Sequence, residues 1–232
     1  MTQLPELWFW EDDCPRPPGE DMAVDELLLR SRPERAVLRC YRWSEEAASI
    51  GFAHDAGSAR RELGPDVPLV RRWTGGGLVR HGQDQTYSLV VPFPEEAGAG
   101  NPAAGWRNSV EIYHRVHAAL AAAMRDAGLA ADLATDGLQM LDTACFAAPV
   151  RHDVVAGDGR KLAGAGHRRT RYGVLHQGSI ACGGVLGLVE AGRLVRSMAD
   201  HLADRVLPMP DKLVPDGNAV TKLAAARYPL LK

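Results

Sequence analysis

Residues 67–91 read VPLVRRWTGGGLVRHGQDQTYSLVV, and the order of residue types in this stretch sets the fold expectation. An apolar run ends at Val70 and an alternating run, TYSLVV, ends at Val91; both have the pattern of strands. Between them stand Gly75, Gly76 and Gly77, preceded by the basic pair Arg71 and Arg72 and followed by His81. Three adjacent residues without a Cβ tolerate positive φ and let a ligand or another strand approach the backbone closely. Exposed N–H groups in such a loop can cradle an anion or a carbonyl oxygen. The stretch therefore predicts a loop hung between two strands and facing a pocket, with Arg71, Arg72, Gly75, Gly76, Gly77 and His81 as candidate binding residues. No Lys-Ser/Thr follows the glycines and GxGxxG spacing is missing, so neither a Walker A loop nor a dinucleotide fingerprint is present. A tight turn with surface arginines is the competing reading.

Outward from this loop, helices and strands mix without regular βαβ alternation, which favours an α+β fold. Residues 21–30, DMAVDELLLR, predict a helix with Asp21 near its start, where an acid suits the dipole. Residues 36–41 and the segment from Ala48 to Phe52 predict strands, and residues 57–63 a short helix. The clearest helix runs from Trp106 to Ala127, where Val110, Tyr113, His117, Leu120 and Met124 recur at helical spacing and Gly128 ends it. Pro94 to Pro102 reads as a surface loop. Strands are expected at 150–155, 160–164 and 174–182, the first two joined by a turn at Gly157-Asp158-Gly159. The tail from Leu186 reads as helical between proline breaks. With no internal repeat and no domain boundary, residues 1–232 are expected to form one domain.

The net charge of −2 gives no general attraction for nucleic acid or an anionic membrane, so neither is expected as a partner. No apolar run approaches the ~20 residues needed to span a bilayer. The N-terminus, MTQLPELWFWEDD, has no basic region and turns acidic at once, unlike a secretory signal. Cys14, Cys40, Cys145 and Cys182 are widely spaced without a CxxC pair and read as free thiols. A cytoplasmic location is the expectation.

Three further groups are candidates for chemistry. Lys161 precedes the small-residue run Ala163-Gly164-Ala165-Gly166, which would let its ammonium reach into a narrow slot; a solvated turn lysine is the alternative. Cys145, in TACFAAPV, is either a buried small hydrophobe or a nucleophile, the second only if a nearby cation stabilises its thiolate. Lys161 is a candidate for that cation. In the strand VLHQGSIA, alternation sends His176 and Gly178 to one face and Gln177 and Ser179 to the other, and one face can line a site. His54, His114, His117 and His152 show no metal-ligand spacing and read as structural, so no metal site is expected. No GxSxG occurs to support a Ser-His-Asp triad.

Taken together, these motifs resemble the lipoate–protein ligase and octanoyltransferase family, whose catalytic domain is shared with biotin–protein ligases. The resemblance rests on five segments in the family's order: DMAVDELLL, LRCYRWSEEAASIGFAH, RRWTGGGLVRHGQDQTYS, GRKLAGAGHRR and GVLHQGSI. It implies an α+β fold with a mixed, largely antiparallel sheet flanked by helices. It also implies transfer of an eight-carbon acyl chain to the Nε of a lysine in a lipoyl carrier domain, of a 2-oxoacid dehydrogenase or of the glycine cleavage H protein. In the octanoyltransferases the donor is octanoyl–acyl carrier protein, the route is a cysteine thioester, and no cofactor is needed. Cys145 in ACFAAP and the spacing HGQDQTYS are similar to that branch, which implies Cys145 as nucleophile and Lys161 as its activator. The resemblance also assigns Gly164, Ala165, His176 and Gly178 to substrate binding. The ligases instead activate free lipoate with ATP and Mg as an acyl-adenylate. Gly77 completes the ligase form of the loop, while His167, Gly166, Val150 and Arg151 depart from the transferase pattern. A ligase of this length is expected to need a separate accessory chain. A third reading is a non-catalytic protein that binds lipoate or lipoyl domains. A biotin ligase is disfavoured because its GRGRxGR-type loop is missing.

Overall fold

A computed structural model describes residues 3–93, 106, 108–135, 149–182 and 186–232. Its larger sheet holds eight strands in the order β11 (Ala203–Pro208), β1 (Leu4–Asp12), β2 (Ala36–Tyr41), β6 (Asp84–Pro92), β10 (Gly173–Ala181), β9 (Lys161–Arg169), β8 (Val154–Ala156) and β7 (Ala131–Leu133). β1 pairs in parallel with both β11 and β2. The remaining pairings are antiparallel. A smaller sheet places β3 (Ala47–Ile50) between β4 (Leu69–Arg71) and β5 (Val79–His81). The helices are α1 (Pro18–Ser31), α2 (Ala56–Leu63), α3 (Ser109–Asp126), α4 (Leu188–Leu202) and α5 (Gly217–Arg227). The expected α+β class, with a mixed and largely antiparallel sheet, is what the chain adopts.

Strand alternation divides the core into two layers. Leu7, Leu38, Leu89, Val174 and Ile180 pack towards α3 and α4. Trp8, Val37, Val90 and Leu175 pack towards α1 and α5. Helix ends follow local chemistry: Asn108 accepts from the amides of Val110 and Glu111 to open α3, and Asp55 accepts from Ser58 to open α2.

Some boundaries differ from the sequence expectation. β1 and β11 carry no clean polar alternation; β11 is an edge strand buried only at Ala203, and the two strands are held by each other across the length of the chain. The segment expected as a strand at 150–155 is extended only from Val154; Arg151 and His152 form a turn in which His152 takes φ of 71°. β9 runs to Arg169, well past the expected residue 164, because it pairs along its length with β10.

Asp21 also does more than cap a dipole. It lies buried with Asp12 and Asp25 around the fully buried Arg39 guanidinium, at 2.7 to 2.9 Å. Burial outweighs Arg39 in setting its acidity and pushes its carboxyl up to about 7. Asp25 continues the network, accepting from Ser88 Oγ and Gln177 Nε2 at 2.7 Å each. α1 is thereby tied to the strand that lines the site.

Candidate active site

The glycine loop joins β4 to β5, as the sequence predicts, and is clamped by two close approaches. Gly51 lies under it and Gly166 of β9 lies beside it; a Cβ on either would collide with the loop backbone at Gly75 or Gly76. Gly76 takes φ of 97°. Gly75 and Gly76 are exposed.

The arginines before the loop brace it. Arg72 is buried; its Nη1 donates to Ser49 O at 2.9 Å and Ser49 Oγ at 2.7 Å, and its Nη2 donates to the carbonyls of Gly75 and Gly77 at 3.0 Å. Arg71 Nη1 donates to the carbonyls of Gly51, Phe52 and His54. Thr74 donates to Gln177 Oε1 at 2.8 Å, which carries the Asp25 network into the loop.

A pocket opens where the small sheet meets β9 and β10. Among the candidates, Arg72, His81, Lys161, Gly164, Ala165 and Gly178 line it, together with Ser49, Trp43 and Gln177. Arg71, the three loop glycines and His176 are not among its described lining. Gln177 and Ser179 form the pocket-facing side of β10. His176 points to the opposite layer, against Tyr87, Tyr113 and His117. Burial holds His176 well below the usual imidazole range and His117 at about 4, so both stay neutral.

Lys161 lies across β9, over the space left by the missing side chain of Gly164. Its Nζ sits 2.8 Å from Asp153 Oδ2, and both side chains are buried. Asp153 also accepts from Tyr113 OH at 2.5 Å and from the Val150 amide at 2.7 Å. Tyr113 OH in turn accepts from the Ala165 amide at 3.1 Å. The lysine head is therefore fixed by a carboxylate whose remaining lone pairs are satisfied, the condition under which a buried ion pair holds its geometry. Asp153 and Tyr113 were invisible as site residues in the sequence: one sits in a turn, the other on a helix read for its apolar period.

His81 lies on the opposite wall, stacked on Trp43 at 3.9 Å. Its Nδ1 is 2.8 Å from Asp84 Oδ2 and its Nε2 is 2.7 Å from Ser49 Oγ. Asp84 also accepts from Thr86, Ser179 and the Gly82 amide. Burial pushes the Asp84 carboxyl up, but the His81 ring and these donors outweigh it and hold it below the usual range. A Ser-His-Asp chain thus exists in space although no sequence motif announces one.

Cys145 lies outside the described residues. Of the other cysteines, burial pushes Cys40 up to about 12 and raises Cys182, which disfavours the thiolate at both. Cys14, Cys40 and Cys182 are free thiols. Among the described residues no three His, Cys, Asp or Glu side chains come together to hold a metal ion, and no helix is long and apolar enough to cross a membrane.

Residues 17–207 match the family model of the lipoyl protein ligase A/B catalytic domain. The chain belongs to that family. It is 35% identical to the octanoyltransferase LipM of Moorella thermoacetica, over 75% of this chain and 65% of that protein. It is 30% identical to the LipM of Halalkalibacterium halodurans, over 75% of this chain and 66% of that protein. The chain thus spans just under two thirds of the length of these curated relatives. Its fold is similar to that of lipoate-protein ligase A crystallised with ATP, with a TM-score of 0.66, 19% identity and 95% and 94% of the two chains covered. Protein Ta0514 of T. acidophilum matches with a TM-score of 0.69, 19% identity and 95% of each chain covered.

Proposed function

We propose that this lipoyl protein ligase family member is an acyltransferase that moves an octanoyl group from octanoyl–acyl carrier protein to a lysine of a lipoyl carrier domain. The acyl group rests in between as a thioester on Cys145. The observation that carries the reading is the placement of Lys161, held by Asp153 at the wall of a pocket that is also lined by Arg72, the residue that braces the glycine loop. A thioester exchange needs a thiolate, a nearby cation and donors for the developing oxyanion. Lys161 supplies the cation, and the exposed loop around Gly75 and Gly76 supplies backbone amides. Both relatives named above are octanoyltransferases, which favours this route. The carrier is a lipoyl domain of a 2-oxoacid dehydrogenase or the glycine cleavage H protein.

One observation favours a second reading. Gly77 gives the loop its third glycine, the form found in ATP-dependent lipoate ligases, where the amides would meet an adenylate phosphate. A Mg²⁺ brought with ATP would ride on the nucleotide's phosphates, since the described residues offer it no cluster of ligands.

The deciding experiment is incubation with octanoyl–acyl carrier protein followed by intact-mass measurement. The thioester route predicts one octanoyl adduct on the wild type and none on Cys145→Ala. An adduct that persists in Cys145→Ala, or no adduct at all, overturns it. ATP-dependent formation of lipoyl-AMP would establish the ligase route in its place.

A further inference from the structure

Transfer to a lysine amine requires a base, and Lys161 is poorly placed to be one. Its ammonium is committed to the buried Asp153 carboxylate, and removing its proton would leave that carboxylate without its counter-charge. No Asp or Glu is among the described residues that line the pocket, and His81 is the one imidazole among them.

The hydrogen bonds around His81 run in one direction. Asp84, held as a carboxylate, takes the proton on Nδ1, so Nε2 is an acceptor. Ser49 donates its hydroxyl proton to that Nε2 and spends a lone pair on Arg72 Nη1. The same arginine grips the carbonyls of Gly75 and Gly77, so the chain is anchored to the glycine loop.

We infer that Ser49, His81 and Asp84 form a proton relay that deprotonates the acceptor lysine as it attacks the acyl group. The amine forms its C–N bond to the acyl carbonyl while its proton passes to Ser49 Oγ and the serine proton passes to His81 Nε2. The bond from the carbonyl carbon to the Cys145 sulfur breaks, and its electron pair leaves with the sulfur. On the ligase route the bond to the AMP oxygen breaks in the same way. The products are the amide, the thiolate or AMP, and a His81 imidazolium held against Asp84, which returns its proton to water through Ser49. The inference rests on the acyl-transfer reading only for a lysine acceptor, a step both routes share.

The relay makes transfer depend on His81 Nε2 standing within reach of Ser49 Oγ. The groups that face His81 are Asp84, Ser49 and the Trp43 ring, with Arg72 behind Ser49, Glu46 beside Gly82, and Tyr41 and Lys161 in the pocket wall. Single-turnover measurements separate the steps: the protein is first loaded from octanoyl–acyl carrier protein, or from lipoate and ATP, then mixed with a lipoyl carrier domain. Ser49→Ala, His81→Gln and Asp84→Asn are expected to slow transfer by 10²- to 10³-fold, roughly the worth of a general base, and to slow loading by a clearly smaller factor. Transfer within about threefold of wild type in these variants overturns the relay, as does equal loss of loading and transfer. Failure of the wild type to load from either donor overturns the acyl-transfer reading and the relay with it, an outcome distinct from normal loading with unimpaired variant transfer.

Discussion

Lys161 can lie flat across β9 because residue 164 is glycine: a Cβ there would stand 2.6 Å from the lysine Nζ and overlap its Cε. The obstructing atoms are the end of a flexible side chain, so the fold has a way to yield and the ammonium does not keep its place. Gly164→Ala is expected to fold, with stability lowered by up to about 3 kcal/mol because the displaced ammonium leaves Asp153, and to lose roughly 10²-fold in acyl transfer. Thermal melting together with the transfer assay checks this; full activity would mean that the lysine position is unimportant.

The pair between Lys161 and Asp153 is buried, so removing one member costs more than removing both. Lys161→Met should lower stability by about 3 kcal/mol, and adding Asp153→Leu should restore a good part of it. Urea unfolding of the two single variants and the double variant supplies the cycle. Additive losses would show that the two groups do not interact.

Arg72 spreads four hydrogen bonds over β3 and the glycine loop, a geometry that a single ammonium cannot reproduce. Arg72→Lys is expected to keep the fold but loosen the loop, with faster amide exchange at residues 74–78 and a fall of roughly tenfold or more in transfer. Unchanged exchange in that loop would contradict the bracing role.

Acid should weaken the protein through its buried imidazoles. His176 is held well below the ordinary value and His117 at about 4, both because burial penalises the charged ring. Below about pH 6.5 the unfolded chain binds protons that the native state refuses, so stability is present above that pH and falls as pH drops towards 4. Each ring contributes up to about 1.4 kcal/mol per pH unit in that window. Asp21, raised to about 7, acts in the opposite sense: the native state keeps a proton the unfolded chain has lost, so its contribution falls as pH rises towards 7. The two are separable in His176→Phe, whose unfolding free energy should lose about one proton's worth of slope between pH 6.5 and 4 relative to wild type. An identical slope in the two proteins would show that His176 is not the buried neutral ring described.

Much of the architecture was legible residue by residue. α2 and α3 follow apolar spacing and end signals, and the loop between β4 and β5 follows from three glycines between two apolar runs. β1 and β11 were not legible, because their strand character comes from parallel pairing between Leu4 and Ala203 and the residues after them. In the site, the family motifs marked Lys161, Gly164, His81 and the loop. They did not mark Asp153 or Tyr113, and Ser49 was seen only as part of a motif.

The sequence by itself determined the main helices and the strands around the glycine loop, the conformational freedom of the glycines and the kinds of group available for acyl transfer, because each is a local property of neighbouring residues. Only the tertiary structure decided that Lys161 meets Asp153, that Gln177 rather than His176 faces the pocket, and that Ser49, His81 and Asp84 form one chain. Ser49 and His81 are brought together by the pairing of β3 with β5, and a contact across that separation leaves no period in the sequence.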